Sequence, residues 1–491
     1  MGKRPARDAP ARSAPRQVPL LALVFALGAQ TMIVELSLPR LLAPAFGNTL
    51  FCWTAAISVV LAALALGYHA GGVVSARSEG ARVRLLWGLA AAASGWVVVS
   101  GVWGDRIVGA LSDLGMIAGP LVGTALLAAP PAGIGASVLP LGVGLTATAA
   151  DSGRCAGRLY AWSTVGSVLG VLATGYLLLP LLGVSGALFA AAGLVFATFL
   201  LGKRLLLGAV GLGIVVLLAA TAPAQRARNV LVDTSNGYHR IRVTAARENP
   251  QVRHLYLDST IEGMVRLGSS APVMPYQSHG VLIADAVPHL KRIFFLGGGT
   301  FSMPKHIQAK YPGVAIEVAE IDPDVVRVAE AFLEMPTGLT VSIGDARRIL
   351  KHARKEYDLI VNDAFHGVRE IPFHLVTREF HRLVAARLSP GGLYAVNVMG
   401  HPRESRLVQS MTRTLAEDFR HVRHFTFMTR EIQNIWILAG AEPIPLGDPA
   451  PASAGAGMIF TDNHAPVEYL IALDLTREPR PRRPEPRTAK T

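Results

Sequence analysis

Long apolar runs with short polar breaks fill the chain up to about Ala222. They lie near Val18–Leu38, Leu50–Val73, Leu85–Val102, Met116–Leu145, Leu159–Leu182, Ala187–Leu201 and Leu205–Ala222. A spanning helix needs about 20 mostly apolar residues, so this pattern predicts a transmembrane helical domain over 18–222 with about seven spans. The fourth run is too long for one straight span and contains Pro130-Pro131, which predicts a kink or a re-entrant break. The glycine-rich stretches Gly133–Gly144 and Gly166–Gly175 predict closely packed helices. The first run follows a basic segment but continues too far for a signal peptide. It also lacks a small-x-small cleavage site, so it reads as an uncleaved anchor.

From about Asn229 the pattern changes. The segment Gly237–Ala245, a turn at Glu248-Asn249-Pro250 and the segment Val252–Asp258 predict a hairpin, within a small β region over 229–287. Over 288–474 apolar strands alternate with helical patterns, which predicts a parallel sheet. The strands fall at 292–297, 315–321, 339–344, 357–363 and 392–399. The helices fall near 303–310 and at 323–334, 345–354, 375–388 and 403–418. Two last strands, near 421–427 and 433–439, follow a helix directly and predict an antiparallel edge pair. The expected architecture is a multi-pass α-helical membrane domain, then an α/β class I methyltransferase-like (Rossmann-like) domain with a small N-terminal β region. The arm 1–17 and the tail 475–491 are basic and rich in Pro, which predicts disorder.

Composition agrees with this division. Apolar residues make up 51% and charged residues 16%, and the mean hydropathy is +0.39, too apolar for an ordinary soluble chain of this length. The net charge of +13 does not point to nucleic acid. Much of the excess lies in the two tails and in loops beside the apolar runs. Arg77, Arg82 and Arg84, then Arg154 and Arg158, then Lys203 and Arg204 mark alternate loops. Together with the N-terminal arm these predict one cytoplasmic side. Seven spans would put the second half on the opposite side; six spans, or one re-entrant segment, would keep it cytoplasmic. The expected location is the cell membrane, in contact with the lipid bilayer. Glu35, near the end of the first span, is either an interfacial residue near Arg40 or an intramembrane functional acid. Cys52 and Cys155 both lie in the apolar half and suggest neither a disulfide framework nor a metal site.

Candidate chemistry collects at the carboxyl ends of the predicted strands, where ligands bind in open α/β sheets. The first strand runs into Gly297, Gly298 and Gly299, which allow a tight turn and close backbone approach. The second ends at Glu320, within Glu320-Ile321-Asp322-Pro323, where an acid can accept both ribose hydroxyls. The third ends at Gly344-Asp345. Asp345 can accept a nucleobase amino hydrogen, or can simply cap the helix that follows. The fourth ends at Asp363, where a carboxylate is placed as a general base. The order of glycines and then three acids is that of a nucleoside-handling enzyme.

The motifs in sequence are Gly297–Gly299, Glu320–Pro323, Gly344–Arg347, Tyr357–Phe365, Pro372–Phe380 and Leu388–Gly392. Taken together they resemble the spermidine synthase (polyamine aminopropyltransferase) family, and most of all its membrane-fused branch. The resemblance covers about Asn229 to Asp474. It implies transfer of an aminopropyl group from decarboxylated S-adenosylmethionine to putrescine or a related amine, with methylthioadenosine leaving and no metal. It implies that Glu320 holds the ribose, Asp345 the adenine, and that Asp363 takes the proton of the attacking amine. It also implies a weaker substrate set of Tyr276, Glu262 and His366, and a homo-oligomer assembled through the β region.

The sequence departs from that family at the amine end. The glycine loop reads Gly297-Gly298-Gly299-Thr300-Phe301-Ser302, with Thr300 in place of an acid. His366 stands where a second Asp is usual. The Leu-Asp-Gly-x-x-Gln segment reads Leu257-Asp258-Ser259-Thr260-Ile261-Glu262, and Tyr276-Gln277-Ser278 lacks a Glu. His374 and His464 have no metal spacing, and Thr461–Glu468 resembles a late motif of the membrane branch. Two other readings stand beside aminopropyl transfer. One is an S-adenosylmethionine-dependent methyltransferase. The other is a non-catalytic membrane protein that binds a nucleoside or polyamine, for which Asp363→Asn would be harmless.

Overall fold

The computed structural model describes residues 17–148, 151–221, 229–236, 238–258, 260–364, 371–401, 404–426, 433–449 and 455–476. Nearly all of the basic arm and of the basic tail, and His366, lie outside these residues. The chain divides into a helical unit and an α/β unit.

In the helical unit, five helices are long and apolar enough to cross a membrane, against the seven runs expected. They are Val18–Phe46, Leu50–Val74, Glu79–Ala110, Ala129–Thr146 and Ser152–Leu201. Two differences account for the count: Ser152–Leu201 counts as one segment where two runs were expected, and the last run is the helix Leu205–Ala220, which is too short to be counted. The runs expected at 159–182 and 187–201 both lie in the 50-residue segment Ser152–Leu201, where a π-helical turn at Thr174–Leu178 and the non-helical backbone of Gly183, φ +66°, break the α-helix between them. The long fourth run is divided into Gly115–Leu127, Ala129–Ala136 and Val138–Thr146. Its first break falls at Ala128, just before Pro130-Pro131, because proline has no N–H to continue the ladder. Helix packing here uses glycine at close approach: a Cβ on Gly166 would overlap the Phe25 carbonyl of the first helix. A polar contact is also buried, with Ser94 Oγ donating to Gln30 Oε1 at 2.9 Å. Glu35 is partly buried, and no hydrogen-bond partner reaches its Oε2 among the described residues.

The α/β unit begins with a four-stranded sheet rather than a single hairpin. Its strands are β1 (Val230–Ser235), β2 (Arg240–Ala245), β3 (Val252–Leu257) and β4 (Thr260–Arg266), in the order β1-β2-β3-β4. The turn at Glu248-Asn249-Pro250 joins β2 to β3, which pair antiparallel. Alternation puts Ile241, Val243 and Leu255 on the buried face, in one core with Phe295, Val318 and Leu359 of the second sheet.

That second sheet has eight strands: β5 (Arg292–Leu296), β6 (Ala315–Glu320), β7 (Thr340–Ile343), β8 (Tyr357–Asn362), β9 (Leu388–Gly400), β10 (His421–Phe425), β11 (Gln433–Gly440) and β12 (Asp448–Pro449). The order is β12-β10-β11-β9-β8-β5-β6-β7. Strands β5 to β9 pair in parallel, and β11 runs antiparallel to both β9 and β10. The last long pair is therefore antiparallel, but β11 is an interior strand inserted between β9 and β10. The segment expected as one helix over 375–388 is a 3-10 turn, Phe373–Leu375, followed by the helix Arg378–Ala385. The Thr377 side chain caps that helix and restarts it.

Candidate active site

The sheet order reverses between β5 and β8, and the chain leaves their carboxyl ends in opposite directions. A crevice at such a switch point is where an open α/β sheet takes its ligand. The residues following β5 and β8 meet there. Gly297 N donates to Ala319 O at 2.9 Å, and Asp363 N donates to Leu296 O at 3.0 Å. Gly297 has φ +91°, and a Cβ on it would lie 2.7 Å from the Asp363 carbonyl oxygen. Only glycine fits this position. Gly297→Ala is expected to cost about 1–3 kcal/mol of stability and to displace Asp363, lowering turnover together with melting temperature. Unchanged values of both would refute this account of the loop.

Glu320 ends β6 and is buried. One carboxylate oxygen accepts from Gly298 N at 2.8 Å and Gly299 N at 3.4 Å, and the other accepts from Asp322 N at 3.0 Å. The acid thus fixes the glycine loop, and three of about four acceptor positions of the carboxylate are engaged. Its neighbour Asp322 acts elsewhere, capping the helix Pro323–Phe332 by accepting from Asp324 N at 2.9 Å, with Pro323 at the first helical position. Two apolar side chains, Ile321 and Ile343, stay exposed beside Glu320, and β6–β7 register puts Ile343 opposite it. They form an apolar surface suited to a flat base, which the sequence reading missed.

A cavity of about 230 Å³ opens at the switch point. It is lined by the glycine loop, Asp363, Glu262, Tyr276 and two residues that sequence reasoning overlooked, Asn397 and Asn434. Asn397 Nδ2 donates to Asp363 Oδ1 at 2.7 Å, and Asn434 Nδ2 donates to Asn397 Oδ1 at 3.1 Å. This relay fixes the amide so that its N–H₂ faces the carboxylate. Burial pushes Asp363 up to about 6, with the Asn397 bond pulling the other way. The proton that Asp363 gains thus belongs on Oδ2. Tyr276 donates to the Glu262 carbonyl oxygen at 3.0 Å. Burial, then the charges of Asp363 and Glu262, raise its phenol well above the usual range, so it stays a neutral donor. The only sequence signal for Asn397 and Asn434 was a polar residue inside an otherwise apolar strand.

Asp345 lies outside this cavity. It lines a neighbouring open groove with Arg348 and His352. The Gly344 N–H to Glu320 O bond, at 2.8 Å, ties it to the end of β6. Of the two suggested roles of Asp345, the helix cap is the one seen. Its Oδ1 caps the helix Ala346–His352 by accepting from Arg348 N at 2.8 Å, and its Oδ2 lies 2.8 Å from His374 Nε2. The late motif reaches the same place. Asp462 takes a bidentate bond from Arg347, both distances 2.7 Å, and accepts from Thr377 Oγ1 at 2.7 Å. Arg347 also donates to His374 O at 3.1 Å. The Thr461–His464 turn therefore clamps the two segments that carry Asp345 and His374. Of the sequence-chosen residues, Gly297, Gly298, Gly299, Asp363, Tyr276 and Glu262 share one cavity. Glu320 supports it from behind, and Asp345 stands to one side. Among the described residues, no group of three or more His, Cys, Asp or Glu could hold a metal ion.

The strand order, with an antiparallel β11 beside β9, defines a class I methyltransferase-like fold. Within it, residues 276–442 match the spermine/spermidine synthase domain, and this part of the chain is such a domain. A polyamine aminopropyltransferase of Vibrio vulnificus is 39% identical over 22% of this chain, and the match spans only 38% of that relative. A polyamine aminopropyltransferase of Mycobacterium tuberculosis is 29% identical over 77% of this chain and 76% of the relative, so the likeness extends into the helical half. An N-terminal histidine N-methyltransferase of Emericella nidulans is 33% identical over 25% of this chain and 22% of its own.

Proposed function

We propose that the chain is a membrane-anchored aminopropyltransferase. It moves the aminopropyl group of decarboxylated S-adenosylmethionine to putrescine or a related amine. The observation that carries this reading is Asp363: a carboxylate raised by burial, held by Asn397, in one cavity with the glycine loop that Glu320 anchors. The matched domain family and the two relatives named aminopropyltransferases support it.

In this reading Glu320 and the loop amides hold the ribose, and Asp345 takes the base amino group beside Ile343. The neutral nitrogen of the acceptor attacks the donor carbon next to the sulfonium. A C–N bond forms, the C–S bond breaks, and methylthioadenosine leaves with the electron pair. Asp363 accepts the proton that the alkylated nitrogen sheds. Glu262 supplies a second carboxylate to the cavity for the acceptor's distant ammonium. The five apolar helices are proposed to anchor the enzyme in the cell membrane.

The test is a product assay on the purified full-length protein. Decarboxylated S-adenosylmethionine with putrescine is expected to give methylthioadenosine and spermidine by mass spectrometry. S-adenosylmethionine with a polyamine mixture is run in parallel. Methylated amine from that second mixture, with no methylthioadenosine from the first, would replace aminopropyl transfer by methyl transfer.

A further inference from the structure

We propose that the cavity's donor-tail subsite takes a zwitterionic tail, so that S-adenosylmethionine with its carboxylate intact binds about as well as the decarboxylated donor. This rests on the nucleoside reading of the site above. The part of the lining formed by Thr300 and Gln277, backed by Ser302, carries no acid, and all three residues are buried. Thr300 is 4% exposed, and its Oγ1 accepts from Gln277 Nε2 at 3.4 Å and from Ser302 N at 3.4 Å. Ser302 Oγ in turn donates to Gln277 Oε1 at 3.2 Å. The Thr300 hydroxyl hydrogen is thus directed at no acceptor among the described residues, and Thr300 lines the cavity.

The helix Ser302–Lys310 begins at the same point and has no acid in its first turn, so its amino end adds positive potential there. Gly263 of β4 lets the Thr300 side chain pack closely against the strand, because a Cβ on it would lie 2.7 Å from Thr300 Cγ2. When no acceptor is bound, the carboxylates of Glu262 and Asp363 in the lining can pair with the tail's ammonium. Acids on one side and neutral donors with a helix amino end on the other suit an amino-acid tail. A carboxylate at position 300 would repel the tail's carboxylate; a hydroxyl donates to it.

The test is calorimetric titration of the full-length protein in detergent with methylthioadenosine, decarboxylated S-adenosylmethionine and S-adenosylmethionine. The Kd values of the two sulfonium donors are expected to lie within about tenfold of each other. Thr300→Asp is expected to weaken S-adenosylmethionine by about tenfold or more with methylthioadenosine unchanged. Thr300→Val, matched in shape, is expected to weaken it severalfold without strengthening the decarboxylated donor. The inference is overturned if the native protein binds methylthioadenosine but takes S-adenosylmethionine more than about a hundredfold less tightly than the decarboxylated donor. It is equally overturned if Thr300→Asp and Thr300→Val both leave the ratio unchanged. Failure of methylthioadenosine to bind the native protein would instead remove the nucleoside reading, and this inference with it.

Discussion

Asp363→Asn is expected to slow amine alkylation by about 10²–10⁴-fold, the range set by loss of a general base. The substitution keeps the shape, and the acceptor for Asn397 Nδ2 is kept as well. What goes is the site that takes the proton. Affinity for methylthioadenosine is therefore expected to stay within a few-fold, which separates this variant from a misfolded one. The pH dependence carries the same signature. Burial raises the Asp363 pKa to about 6, so the carboxylate is mostly ionised at neutral pH and is lost as pH falls through about 6. The native kcat/KM is expected to rise with pH through that value, and the Asn variant to lack that limb. Stability moves the other way. A carboxyl whose folded pKa lies above its unfolded value of 3.8 has its ionised form disfavoured by the fold. That disfavour is present at neutral pH and is relieved below about 6. Asn carries no charge, so the variant is expected to melt no lower than the native protein at pH 7. An Asn variant with native turnover would remove Asp363 from the chemistry and favour a binding role.

The sequence made the α/β half legible because its signals agree across levels. Apolar strands such as Arg292–Leu296 and Tyr357–Asn362 are central and covered on both faces, so they read as continuous apolar runs. The segment Glu320–Pro323 packs a strand end, a cap and a first-turn proline into four residues. Two kinds of fact were not legible. One is register: an interior β11 depends on which edge of β9 it joins, and a run of apolar residues does not say. The other is long-range polar pairing. Asn397 and Asn434 lie on different strands, and Arg347 meets Asp462 across 115 residues. No local pattern announces such partners. In the helical half the apolar pattern located every run. It separated the runs 159–182 and 187–201, and the helical backbone breaks between them at Gly183.

Glu320→Gln is expected to raise the Kd for methylthioadenosine by about a hundredfold or more. The argument rests on how completely the carboxylate is used. It accepts three backbone N–H groups, from Gly298, Gly299 and Asp322, and the proposed ribose hydroxyl would be a further donor. Hydrogen bonds to a charged acceptor contribute about 1.5–3 kcal/mol each, and 1.4 kcal/mol is a factor of ten in affinity. An amide loses one acceptor oxygen outright. Its N–H₂ must face either the loop amides or Asp322 N, and both are donors. If the amide nitrogen turns toward the loop, Gly298 N and Gly299 N lose their acceptor and the loop is released from β6. If it turns toward Asp322 N, the entry to the helix Pro323–Phe332 is disturbed. Either way the effect falls on the glycine loop and the ribose together, so binding of the nucleoside suffers before chemistry does. Turnover at saturating donor is then expected to fall less than kcat/KM, whereas Asp363→Asn lowers both alike. Calorimetry with methylthioadenosine reads this directly, and a Kd within threefold of native would mean that the ribose is held elsewhere.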